Sequence, residues 1–286
     1  MIIMRHSRTK YIRNSYNGKG TLFIGHMIQV PIDAPLFGGG GSHQINEVSD
    51  TQRYVLGARL VSGDGRVFRY GKCGESFSTT KMGCKNWNLL VTEKATGAVA
   101  ACVAGAKELE VTFNSDFWDT EVAENELYGG YISLYNSGAI RDTRMIISND
   151  AVVAGGGVCT IGIDEPIVVA VAAAFDCEVM ANPYSDLRVT NDGRTSIMGM
   201  PAALATVGQY LWIQTWGPYR VTPTAAEIGV ISEDRQYVFD SAGSVYSHQL
   251  DHDRGTSSYQ HAGFVIERDD GVAGSDAPFI MLQISP

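Results

Sequence analysis

Residues Tyr54 to Cys73 read YVLGARLVSGDGRVFRYGKC, and no other stretch constrains the fold as tightly. Two runs rich in β-branched and aromatic residues, Tyr54 to Val61 and Arg66 to Tyr70, flank the cluster Ser62-Gly63-Asp64-Gly65. Glycine reaches positive φ without steric cost, so the cluster supplies a turn and the flanking runs become the arms of a β-hairpin. Side chains alternate across a strand, which puts Arg66, Phe68 and Tyr70 on one face of the second arm and Val67 and Arg69 on the other. Neither face is purely apolar. Such a pattern suits a strand shared between a core and a protein interface better than the lining of a small-molecule pocket. Arg66, Phe68 and Tyr70 are therefore candidate partner-binding residues, because interfaces are enriched in Phe, Tyr and Arg. The competing reading is that a longer-range feature of the fold buries both faces inside one subunit.

The same punctuation runs through the chain. Its 32 glycines among 286 residues sit mostly between β-like runs, and 44% hydrophobic residues suffice for a sizeable core. The expected fold is mainly β, with one or two β-sandwich or barrel-like units behind an extended N-terminal arm. Residues 1–41 form the arm and a linker, the latter marked by Gly38-Gly39-Gly40-Gly41-Ser42. Residues 42–157 and 158–286 are expected as two β-rich domains, divided near Gly155 to Gly157. No apolar run reaches the roughly 20 residues that span a bilayer, and Met1 to Lys10 lacks the apolar core of a signal peptide, so a soluble chain with no membrane partner is expected.

Charge is segregated. The first twenty residues carry Arg5, Arg8, Lys10, Arg13 and Lys19 and no acid, which leaves 17 basic against 31 acidic residues, a net of −14, in the remainder. These five cations are candidate partner-binding residues that reach an acidic neighbour. The acidic remainder repels phosphate and argues against direct nucleic-acid binding. The turn formers of Asn14 to Gly20 predict an extended arm ordered by what it touches. Thr21 to Ile32 reads as a strand interrupted by Gly25 and ended by Pro31, able to pair with a sheet edge of its own subunit or of a neighbour.

Further along, Lys107 to Phe113 alternates Leu109, Val111 and Phe113 with Glu108, Glu110 and Thr112, a strand buried on one side. The Ala-rich run Ala98 to Ala104 predicts a short helix, limited by Gly97 and Gly105. Ile167 to Phe175 (IVVAVAAAF) is the most apolar run and predicts a buried strand. Strands are also expected at Tyr131 to Tyr135, Thr143 to Ile147, Ala262 to Glu267 and Pro278 to Ile284. In Gly208 to Val221, Tyr210, Trp212, Gln214 and Trp216 share one face, an aromatic ladder that favours core over a carbohydrate platform.

Motifs for chemistry are missing: there is no GxSxG elbow, HExxH, GxGxxG or GxxxxGK. Cys73, Cys84, Cys102, Cys159 and Cys177 form an odd set without a CxxC pair, so buried free thiols are expected rather than a zinc site or disulfide framework. His248, Asp251, His252, Asp253 and His261 are the densest polar cluster, but the glycines and serines around them favour a solvated loop. Asp269-Asp270-Gly271 with Asp276 lacks the alternating oxygen ligands of a calcium loop. No catalytic, cofactor or metal residue is assigned.

One resemblance bears on function. Tyr54 to Gly74 is similar to a "YPLGTR…DGRVFRYA" signature of virion structural proteins of environmental tailed phages. The stretches Tyr128 to Asn149, Val179 to Leu187 (VMANPYSDL) and Gly208 to Val221 resemble the same family in the same order. The resemblance implies a non-enzymatic, β-rich, capsid-associated protein, made in the host cytoplasm and located in the virion. Its expected role is a decoration or cementing subunit on the major capsid protein lattice, self-associating as a trimer or another closed ring. The alternatives are a host-surface-binding fibre or knob, in which Trp212, Trp216 and Tyr219 would face solvent, the major shell protein itself, or a polysaccharide hydrolase, which would need two carboxylates paired in a cleft.

Overall fold

The computed structural model describes residues 9–14, 26–31, 44–86, 95–113, 121–136, 139–153, 155–172, 175–189, 196–223, 235–248, 260–267 and 278–286. The protein is almost entirely β. In chain order the strands are β1 (Thr9–Asn14), β2 (His26–Pro31), β3 (Arg59–Val61), β4 (Val67–Lys72), β5 (Cys84–Asn86), β6 (Ala95–Val99), β7 (Glu108–Phe113), β8 (Tyr131–Asn136) and β9 (Ala139–Asn149). They continue with β10 (Gly157–Ile163), β11 (Phe175–Met180), β12 (Leu187–Arg188), β13 (Ile197–Pro201), β14 (Tyr210–Arg220), β15 (Gln236–Phe239), β16 (Val245–Ser247), β17 (His261–Glu267) and β18 (Phe279–Gln283).

Two compact units result. The first contains Met1–Asn86 and Asp186–Pro286, and the second, Trp87–Ser185, is inserted between them in the sequence. This replaces the division expected near Gly155 to Gly157. Residues 157 and 158 both lie in β10, whose Gly157 to Gly162 pair with Phe113 to Glu108 of β7, so a boundary there would cut through a hydrogen-bonded ladder.

In the first unit, twelve strands among the described residues form one sheet, ordered β1-β2-β3-β4-β14-β18-β17-β15-β16, with β13 beside β14 and β5 and β12 following it. The expected hairpin is β3 and β4, with Leu60 opposite Phe68 and Val61 opposite Val67. The Ser62 N–H donates to the Arg66 carbonyl and the Gly65 N–H to the Ser62 carbonyl, closing the turn. Gly65 sits there at φ 86°, in the left-handed region that a side chain would strain. The first arm is shorter than its composition suggests, because the chain turns at Gly57 before β3 begins. The N-terminal stretch is a second hairpin, β1 against β2, joined through β2 to β3 of the same chain. Thus the predicted strand around Pro31 pairs within its own subunit.

The longest strand of this sheet organises it. β4 runs along one edge of β14 from Tyr210 to Trp216, while β13 at Ile213 and Gln214 and β18 from Trp216 onward occupy the other. A bulge at Thr215 interrupts the β4 ladder, and the Thr215 carbonyl accepts the N–H groups of Ile284 and Ser285 instead. Leu211, Trp212, Ile213, Gln214 and Thr215 are all fully buried, so this strand has core on both faces. A second cluster, including Met200, Tyr237, Phe239, Val245, Ile280 and Leu282, fills the space beyond it.

The second unit is a closed six-stranded barrel in the order β10-β7-β6-β11-β8-β9. Closure leaves no free sheet edge along this order, and the inward half of each strand fills the interior. On β7 the sequence alternation is realised in full: Leu109, Val111 and Phe113 are buried, and Glu108, Glu110 and Thr112 are exposed. Ile132, Leu134, Ile146, Ile161 and Ile163 complete the core. Each such side chain contributes about 1.5–3 kcal/mol on burial. Asn149, itself buried, holds the segment Val122 to Leu127 against the barrel. Its Oδ1 accepts the Leu127 N–H at 2.8 Å, and its Nδ2 donates to the carbonyls of Ala123 and Asp150.

Two sequence expectations differ here. The Ala-rich run is no helix: Ala98 and Val99 belong to β6, where ladders to β7 and β11 on both edges outweigh alanine's intrinsic preference. Ile167 to Phe175 is no buried strand either. Ile167 and Val171 are anchored in the core by backbone hydrogen bonds to Ala106 and Cys102, but Val168 and Val169 are 73% and 61% exposed. From Ile167 to Ala172 the chain is a loop that inserts two of its apolar side chains, and Phe175 opens β11.

Two stability outcomes follow. Phe68→Ala should cost about 3–5 kcal/mol of unfolding free energy in denaturant titrations, as a large buried side chain does when truncated. Asn149→Ala leaves the Leu127 N–H without its acceptor and should lower stability by about 1–3 kcal/mol, read as a shifted melting midpoint of the barrel.

Candidate functional site

The candidate residues divide according to what packs on them. Phe68 and Tyr70 are 1% and 0% exposed within the chain, so they are core and cannot present themselves to a partner. This corrects the interface expectation for both. Its cause lies far away in sequence: Tyr70 meets Trp212 of the adjacent β14 with ring centroids 5.0 Å apart, Tyr54 edge-on at 5.4 Å, and Tyr210 nearly parallel at 6.0 Å. The Tyr70 hydroxyl accepts the Arg53 N–H at 3.2 Å, and burial pushes its pKa up. Two half-polar strand faces are thus covered inside one subunit.

Arg66 is engaged locally. Its Nε lies 2.7 Å from Asp64 Oδ2, and its guanidinium sits 5.4 Å from the centre of the Phe68 ring. Partial burial acts to raise the Asp64 pKa, but hydrogen bonds from the Arg66 N–H, the Arg66 side chain and Ser62 outweigh it and hold the carboxyl below its ordinary value. Both side chains are substantially exposed, so this pair trims the turn more than it stabilises the fold.

Of the basic arm, Lys10 and Arg13 fall on β1, and Arg5, Arg8 and Lys19 lie outside the described residues. β1 is the outermost strand of the sheet, paired on one side by β2. Two arginines not proposed from sequence stand near it: Arg59 of β3 lies directly opposite Arg69 of β4. Their pairing was not readable locally, since it depends on the hairpin register. The lone signal was the charged face that Arg69 gives β4.

The remaining candidates are placed as follows. Trp212 is fully buried, whereas Trp216 and Tyr219 are half-buried. The Tyr219 hydroxyl lies 2.8 Å from the Thr80 carbonyl and 2.6 Å from the Pro201 carbonyl, and burial raises its pKa. These three aromatic residues do not form a solvent-facing platform. His248 and His261 are exposed, and His261 Nε2 lies 3.3 Å from Gln283 Oε1. Asp251, His252, Asp253, Asp269, Asp270, Gly271 and Asp276 lie outside the described residues, as does the Gly38 to Ser42 linker. Among the described residues, no group of three or more His, Cys, Asp or Glu side chains could hold a metal ion, and no helix is long and apolar enough to cross a membrane.

All five cysteines are free. Cys73, Cys84, Cys159 and Cys177 are buried and Cys102 is partly exposed. Burial pushes the Cys73 thiol up to about 12, with the carboxylates of Glu75 and Asp186 adding to it, and the Cys159 thiol up to about 11. Cys84, entirely enclosed, is raised well above its ordinary value. Such thiols are poor nucleophiles at neutral pH.

Comparisons with known protein families, with curated proteins and with solved structures found no match to this chain.

Native protein treated with a thiol reagent near neutral pH should therefore modify Cys102 first and the four buried thiols only on unfolding, as read by mass spectrometry. The raised thiols also set an alkaline limit. The folded state keeps these protons while the unfolded chain releases them, so their contribution is complete below the ordinary thiol value of 9.0 and is lost as pH rises toward about 12. Melting temperature should fall across that window, and less steeply in Cys73→Ala.

Proposed function

We propose that this chain is a non-enzymatic virion structural protein of a tailed phage, a decoration or cementing subunit that binds the head lattice formed by the major capsid protein. The observation that supports this reading most directly is where the family-like stretches fall. Tyr54 to Gly74 and Gly208 to Val221 supply β4 and β14, which pair with each other along six residue positions of β4. Tyr128 to Asn149 and Val179 to Leu187 supply β8, β9 and the end of β11, which are neighbours in the barrel. A likeness concentrated on mutually paired, buried strands is a likeness of scaffold. Enzyme relatives keep theirs on the loops around a cleft.

The fibre or knob alternative loses its motivation, because the aromatic residues it needs at the surface are buried or half-buried in the first unit. Lattice binding asks instead for broad, stable surfaces, which a large sheet with a charged outer strand and an inserted closed barrel provide.

Imaging of virions with and without this protein tests the reading. Loss of regularly spaced density over the head, restored by adding the purified protein back, is the expected result. Unchanged heads with a missing tail fibre would overturn it.

A further inference from the structure

We infer that one end of the barrel is a dimer interface, where it meets the same end of a second copy of this chain. Two connections build this end: Ala100 to Ala106 joins β6 to β7, and Pro166 to Ala172 lies between β10 and β11. Neither carries a charged, hydroxyl or amide side chain. An antiparallel bridge ties them together, the Cys102 N–H donating to the Val171 carbonyl at 3.0 Å and the Val171 N–H to the Cys102 carbonyl at 2.9 Å. The Gly105 N–H donates to the Ile167 carbonyl at 2.9 Å, and the Ile167 N–H to the Ala106 carbonyl at 3.0 Å. β9 holds the second connection as well. Asp142 Oδ2 accepts the Val168 N–H at 3.2 Å, Arg144 Nη2 donates to the Pro166 carbonyl at 3.3 Å, and the two side chains form an ion pair with each other.

With the backbone held and Ile167 and Val171 seated in the core, the side chains between them are turned outward. Val103, Val168 and Val169 are 73%, 73% and 61% exposed, and five alanines and Pro166 of the same two connections are exposed beside them. Together these residues present on the order of several hundred Å² of apolar surface, at the upper end of what a monomer leaves uncovered. That is comparable to the apolar share of one side of a standard interface, which buries roughly 800 Å² per partner.

Charge selects the occupant. The barrel unit, residues 87–185, contains 14 acidic and 4 basic residues, a net of −10, so most of its surface repels another copy of itself. The two connections carry none of these charges, and the exposed residues at their margin, Lys107 and Glu165, are of opposite sign. Two copies can therefore meet here without setting carboxylate against carboxylate, and an uncharged apolar patch is its own complement about a two-fold axis. A cationic protein partner finds its carboxylates elsewhere on the barrel. A lipid surface is disfavoured: interfacial segments rely on Trp, Tyr, Lys and Arg, which both connections lack, and anionic headgroups repel so acidic a unit. Such a dimer forms in solution, with or without a capsid lattice.

Sedimentation equilibrium of the full chain at about 0.1 M and about 1 M salt tests this. Apolar contact between two acidic units tightens as salt screens their repulsion, so wild-type protein is expected to be dimeric and to associate at least as strongly at the higher salt. Val103→Asp with Val168→Asp should weaken dimerisation about tenfold or more at the lower salt and leave the far-ultraviolet circular dichroism of the chain unchanged, because both side chains are exposed in the single copy. Should that variant fold poorly, Val168→Ser with Val169→Ser takes its place. Flotation with phosphatidylcholine vesicles is the second arm, and no binding is expected. A wild-type monomer at both salts, a dimer that dissociates at the higher salt, a dimer indifferent to the valine substitutions, or vesicle binding that those substitutions abolish would each overturn the proposal.

Discussion

The first unit depends on one strand having no solvent side. β14 is enclosed by core on both faces along Leu211 to Thr215 and paired along both edges, so its backbone hydrogen bonds are met by neighbouring strands rather than by water. That demand explains its composition. Leu211 and Ile213 fill one face, while Trp212 packs at an angle against Tyr54 and Tyr70 on the other. Gln214 spans the change of neighbours by donating from Nε2 to the carbonyls of Trp216 and Pro218. Where the ladder to β4 breaks, Gly217 at φ 101° lets the strand pass Arg66: a Cβ there would lie 2.8 Å from the Arg66 Cγ.

The barrel meets the same hydrogen-bonding requirement by a different route. Its six strands close on themselves, so pairing is complete without help from the large sheet, and an inward residue at every second position supplies the core. A self-sufficient unit can be inserted into another without disturbing it, provided its ends leave from adjacent places. Here the entering and leaving chains are tied together, as β5 ends at Asn86 and β12 begins at Leu187, and these two residues are opposed in one ladder. Near this junction Gly74 is held to glycine by Asp186, whose carboxylate occupies the space of a Cβ and pairs with Arg188 at 2.9 Å. Segregating net charge into the barrel costs little, because most of its carboxylates face water.

Much of this was legible in the residues. Alternation and turn chemistry are local properties, so the β3–β4 hairpin, the one-sided burial of β7, the β8–β9 pair and the final β17–β18 pair could be read without knowing what lay around them. Free thiols could be read as well, from an odd count and poor spacing. Alanine-rich and uniformly apolar runs misled, since propensity cannot say whether a segment has ladder partners or which of its side chains reach a core.

Sequence by itself therefore determined that the chain is β, where most of its turns lie, and which residues carry the positive charge. Only tertiary structure decided which strand faces meet protein and which meet water. Tyr70 is core because Tyr54, Tyr210 and Trp212 converge on it, and Arg59 stands opposite Arg69 because the β3–β4 ladder fixes their register. The physical reason is range: alternation is set between a residue and its second neighbour, whereas the burial of Tyr70 is set by a strand more than a hundred residues away.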